Sequence, residues 1–146
     1  MNDWQKRFSQ KVDLVRGTAR QQFEDHGSQI IAPMFEEYRT FTSAQGFCAT
    51  APVKRDGVRA FKFAITENSY LLMTFRLAGF EHCELQVDHF IPGDQKHACT
   101  PIHVELADLD IGWTRRMFEQ ALDQFLDRLV ESLAHPDETP AEAVGA

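Results

Sequence analysis

From Ala49 to Leu106 the apolar residues of every strand-like run keep to one parity, and this constrains the fold more than any other feature of the chain. Phe61, Phe63 and Ile65 are followed at odd positions by Leu71, Met73, Phe75 and Leu77, then by Cys83, Leu85, Val87 and Ile91. Lys62, Ala64, Thr74, Arg76, Glu84, Gln86 and Asp88 stand between them. Side chains on a strand alternate faces with period two, so the pattern describes an antiparallel sheet with one buried and one wetted face. The punctuation between the runs agrees. Asp56-Gly57 is a hairpin signal, Glu67-Asn68-Ser69 and Ala78-Gly79 are turns, and connections this short favour pairing between nearest neighbours. The expected strands are Phe47 to Val53, Val58 to Thr66, Tyr70 to Leu77 and a fourth reaching Ile91; after a loop through Thr100 comes a fifth, Ile102 to Leu106.

Helical periodicity flanks this region. Trp4, Phe8, Val12, Val15, Ala19 and Phe23 are spaced 4, 4, 3, 4, 4, which draws one narrow apolar stripe along a helix over about residues 3–25. That spacing is close to the seam of a coiled coil. Lys6, Arg7, Lys11, Arg16 and Arg20 lie mostly off the stripe. His26-Gly27-Ser28 reads as a stop, with Gly27 just past the helix end and Ser28 as a cap for a second helix over about residues 29–44. Pro33 is awkward inside a helix, which leaves two arrangements open: a second helix that begins at Ala32-Pro33, or one kinked rod. A third helix over about residues 112–134 has a wide apolar face that includes Phe118, Leu122, Phe125 and Leu129. The expected fold is α+β, an antiparallel meander of about five strands with one face packed on a long C-terminal helix, preceded by one or two N-terminal helices. Residues 1–135 make a single domain, and 136–146, rich in Pro, Glu and Ala, a flexible tail.

A chain of 146 residues is long enough to bury a core of its own without staples. Three cysteines without a CxxC pair suit a reduced compartment rather than a disulfide framework. The opening residues lack the apolar core of a signal peptide and no later run has the length of a membrane span, so the expectation is a cytoplasmic protein without a membrane partner. The formal net charge is −7, distributed as 9 basic and 7 acidic residues in 1–60 against 6 basic and 15 acidic in 61–146. An acidic body repels phosphate, which argues against a nucleic-acid partner.

Candidate chemistry is sparse. His82, Cys83, His89, His97, Cys99 and His103 crowd into 22 residues, but their spacing matches no zinc motif, so no metal and no cofactor is expected. His89 keeps the phase of Leu85 and Val87, which places its ring toward the core at a strand end, where a structural role suits it better than a catalytic one. Asp108-Leu109-Asp110-Ile111-Gly112 lacks the third acid and the correctly placed glycine of a calcium loop, and one of these aspartates is better read as the cap of the last helix. The serines lie in no GxSxG elbow and the cysteines show no acid-base signature, so no catalytic residue is assigned.

Two features point toward a protein partner. The stripe Trp4, Phe8, Val12, Val15 and Phe23 is too narrow for a complete core helix but suits docking, and Glu119, Asp123 and Asp127 repeat every fourth residue on the last helix. Stacked acids repel one another unless something basic faces them, and the N-terminal helix of a second copy would serve. The expected function is therefore a noncatalytic interaction or chaperone-like adaptor domain, homodimeric. The alternative is a small-molecule binder or enzyme with an apolar pocket between the sheet and the last helix, lined near its mouth by His89, His103 and Cys99. At the level of architecture, a small acidic domain with helices around an antiparallel sheet resembles the secretion chaperones that hold an unfolded client as dimers. The resemblance implies a client-binding dimer and assigns no site residue.

Overall fold

The computed structural model describes residues 2–92 and 97–134. Helix α1 (Asp3–His26) begins with a reciprocal cap, in which the Asn2 side chain accepts from the Gln5 amide at 2.7 Å and the Asn2 amide donates to the Gln5 side chain at 3.0 Å. The expected stop at His26-Gly27-Ser28 does not occur. Gly27 has φ −59° and ψ −44°, an ordinary right-handed helical residue, and a π-helical turn (Gly27–Ile31) leads straight into α2 (Ala32–Ala44). In this wide turn the Ala32 amide donates to the Gly27 carbonyl, five residues back. A regular helix would press the Pro33 ring against the carbonyl four residues earlier, and a widened turn just before the proline relieves that clash. Residues 3–44 are thus one helical path with a bulge, and Ser28 caps nothing.

Gly27 is buried against the first hairpin, where the position a Cβ would take lies in van der Waals contact with the Arg59 guanidinium, 3.4 Å from its Nε. Arg59 is itself buried: it forms an ion pair with Glu24 and donates to the carbonyls of Arg55 at 2.9 Å and Val58 at 3.1 Å. Glu24 accepts in addition from the Gly57 amide at 3.1 Å. The end of α1 is thereby pinned to the tip of the first hairpin.

The sheet is the expected meander. Strands β1 (Cys48–Arg55), β2 (Val58–Thr66), β3 (Ser69–Ala78) and β4 (His82–Phe90) pair antiparallel in sequence order. The free edge of β4 is shared by β5 (His97–Ala98), which pairs at Asp88 and His89, and β6 (Ile102–Glu105), which pairs along His82 to Leu85. The two-residue β5 falls inside the expected loop. Gly57 (φ 74°) makes the left-handed turn that the Asp56-Gly57 signal calls for. β1 is an edge strand with a bulge between Thr50 and Val53, and Pro52, Lys54 and Arg55 along it discourage pairing with another sheet.

One face of the sheet is buried, by the residues that the parity selects: Phe61, Phe63, Leu71, Met73, Phe75, Cys83, Leu85, Val87, His89 and Ile91. Ile65 departs from the pattern. The pairing of β2 with β3 shifts between Ala64 and Thr66, and this irregularity leaves Ile65 exposed. Helix α3 (Ile111–Ala134) lies across the buried face, capped by Asp110, whose carboxylate accepts from the Trp113 amide at 2.8 Å. Phe118 of α3 is the hub, with Tyr38, Phe61, Phe63 and Phe75 at ring-centroid distances of 5.5, 5.9, 6.1 and 5.9 Å. Each such ring removed from water stabilises the fold by about 1.5–3 kcal/mol. The expected tail at 136–146 lies outside the described residues.

Candidate functional site

Helix α1 is about 36 Å long at 1.5 Å per residue, and the body of the protein covers only its last turns. Ala19 and Phe23 are buried in the core, and Arg16 stacks on Phe80 of the β3–β4 turn at 5.6 Å. Beyond that contact the helix leaves the fold. Residues 2–18 are exposed apart from half-buried Val12, and Trp4 and Phe8 stack on each other with ring centroids 5.2 Å apart. The stripe read from the sequence is therefore divided by the fold. Phe23, counted there among the partner-facing residues, belongs to the interior at 0 % exposure, whereas Trp4, Phe8 and Val15 stand 60 %, 54 % and 48 % exposed.

A helix that projects in this way gains little from packing. Segments of 12–15 residues are marginal in water on their own, and this one is held by its capping box and the Trp4–Phe8 stack. Arg7 and Lys11 border the stripe on one side and Arg16 and Arg20 on the other, as the helical repeat of 100° per residue requires.

The acidic residues of α3 are all exposed, but they are not equivalent. Glu119 is engaged within the chain, where it accepts from the Tyr38 hydroxyl at 2.6 Å. Burial, then the hydrogen bond to Glu119 and its charge, pushes the Tyr38 phenol up to about 12. Arg115 bridges to Glu37 at 3.7 Å, so this patch is a clasp between α2 and α3. Asp123 and Asp127 continue the row toward the far end of α3, with Glu131 one turn beyond.

The histidines and cysteine considered as pocket residues are not gathered into one place. His89 is 2 % exposed on the inner face, its ring 5.8 Å from that of Phe125. His103 is exposed on β6, cross-strand from Glu84 among the outward-facing positions. Cys99 packs against the edge of the core, and burial raises its thiol pKa. Burial pushes the Cys83 thiol up to about 12, which makes it a poor nucleophile at neutral pH. Around Phe118 the space between sheet and α3 is filled by aromatic rings. A groove of about 240 Å³ does exist between the π turn, the start of α2 and β1, lined by Gly27, Phe35, Val53, Arg59 and Phe61. It is smaller than the roughly 300–1,000 Å³ of ordinary ligand sites, and its one buried charge is already committed to Glu24.

Among the described residues no group of three or more His, Cys, Asp or Glu side chains is placed to hold a metal ion, and no helix is long and apolar enough to cross a membrane. Nothing in the sequence foretold that Tyr38 and Glu119, 81 residues apart, would meet, since no local pattern encodes such a pair. In comparisons with known proteins, no family model, no curated protein and no solved structure matches the chain.

Proposed function

We propose that this protein is a noncatalytic protein-interaction domain of the adaptor or chaperone-like kind, homodimeric, which docks through the projecting half of α1. The observation that carries this reading is the run of exposed apolar side chains at Trp4, Phe8 and Val15, continuous along one helix face with the buried Ala19 and Phe23. Their exposed fractions sum to on the order of 400 Å² of apolar surface, the size of patch that on soluble proteins commonly marks an interaction site. The same side chains could not anchor a small molecule, because they stand on a lone helix with no opposing wall.

The test is the mass of the full chain in solution by sedimentation velocity, compared with Phe8→Glu and Val15→Asp. The wild type is expected at about twice 16.7 kDa and the variants at 16.7 kDa. Both substituted residues are exposed, so circular dichroism of the variants should match the wild type. A wild-type monomer, or a dimer indifferent to both changes, would refute the reading.

A further inference from the structure

A second apolar stripe lies uncovered at the opposite end of the sheet. Past Phe125, which packs beside His89 at the end of β4, the remaining turns of α3 expose Leu126, Val130 and Leu133 at 41 %, 64 % and 78 %. Their spacing of four and three residues sets them on one line of the helix. Asp123, Asp127 and Glu131 form a parallel row on the flank of that line away from the core, because Phe118, Ala121 and Phe125 occupy the other side. The two overhangs have the same construction with opposite charge: on α1 an apolar line bordered by arginine and lysine, on α3 an apolar line bordered by carboxylates.

Resting on the reading of α1 as a docking helix, we infer that its occupant is the exposed end of α3 in a second copy of this chain, each copy supplying its α1 to the other. The geometry and the charge select this arrangement over pairing of α1 with itself. Within one chain the stripes sit at opposite ends of the sheet, α1 leaving past Phe80 and α3 past His89, so neither covers the other. A twofold axis that sets two copies side by side and head to tail brings each end to its complement, patch onto partner patch twice over. Two α1 helices face to face would instead bring together the basic borders of both copies, Arg7, Lys11, Arg16 and Arg20.

Area points the same way. A single α1-on-α3 contact joins on the order of 750 Å² of apolar surface, short of the roughly 1,000 Å² that a specific interface needs. The two symmetry-related contacts together reach about 1,500 Å², inside the ordinary range for a stable complex.

The experiment is a complementation by sedimentation velocity with the full chain. Phe8→Glu spoils α1 and Val130→Glu spoils α3, both at exposed positions. Each variant alone is expected at 16.7 kDa, and their equimolar mixture as a dimer weaker than the wild type that reaches about twice that mass only at raised concentration, because it keeps one intact α1-on-α3 contact of the two. Leu133→Glu, on the same stripe, repeats the test should Val130→Glu lose its circular dichroism. If Val130→Glu and Leu133→Glu remain dimeric while Phe8→Glu is monomeric, α1 still docks but not on α3, and this inference alone is overturned. A mixture that stays monomeric even at the raised concentration overturns it as well, whereas a monomeric wild type removes the docking reading beneath it.

Discussion

Replacing Glu24 by alanine should loosen the protein far more than its place on a helix surface suggests. The carboxylate holds two groups of the first hairpin at once, the Arg59 guanidinium on one oxygen and the Gly57 amide on the other. Arg59 is enclosed, its side chain 7 % exposed against 25 % for Glu24. Alanine would leave a buried cation without its counter-charge and an amide without its acceptor. Breaking an enclosed pair costs about 3–5 kcal/mol, and the partial exposure of Glu24, which lets water reach the vacated site, lowers the expectation to about 2–4 kcal/mol. For a chain of this length that corresponds to a fall in Tm of roughly 5–15 °C.

Urea unfolding of Glu24→Ala, Arg59→Met and the double variant measures this as a cycle. The double variant should be more stable than the sum of the single losses predicts, because removing both charges leaves none unpaired. A loss below about 1 kcal/mol for Glu24→Ala would place the pair among ordinary surface ion pairs and refute the account of how α1 is anchored. The anchoring matters for the proposed function. The same joint sets the direction in which the projecting half of α1 leaves the fold.

Two further outcomes follow from the buried groups. The Tyr38 phenol, raised to about 12 by burial and by Glu119, keeps its proton while the unfolded chain would lose it near 10. Between these values the folded state binds more protons, so stability falls as pH rises from about 10 to about 12 and is unaffected below that window. Phenolate absorbance should show one late step that Tyr38→Phe abolishes, and a late step that survives the substitution would exclude Tyr38 as its source. Cys48 is exposed while the thiol of buried Cys83 is held up near 12, so a disulfide reagent at pH 8 should modify Cys48 first and reach Cys83 only after denaturation. Equal rates for the two in the native protein would contradict the burial of β4.

The sheet was legible from residues alone because a strand's alternation is a property of its own backbone: once Phe61, Phe75 and Leu85 share a parity, the short turns leave one way to pair them. The Asp56-Gly57 turn and the Asp110 cap were legible for the same reason, each being a contact between residues at most three apart. Tertiary structure decided the rest. Gly27 carries the local mark of a helix end, yet the helix continues there through a π turn and packs against an arginine thirty-two positions away. The stripe from Trp4 to Phe23 looks uniform along its length, and only the edge of the folded body determines that Phe23 belongs to the core while Phe8 faces solvent. Periodicity reports which face of an element is apolar; what lies against that face depends on where distant parts of the chain meet, and no local pattern records it.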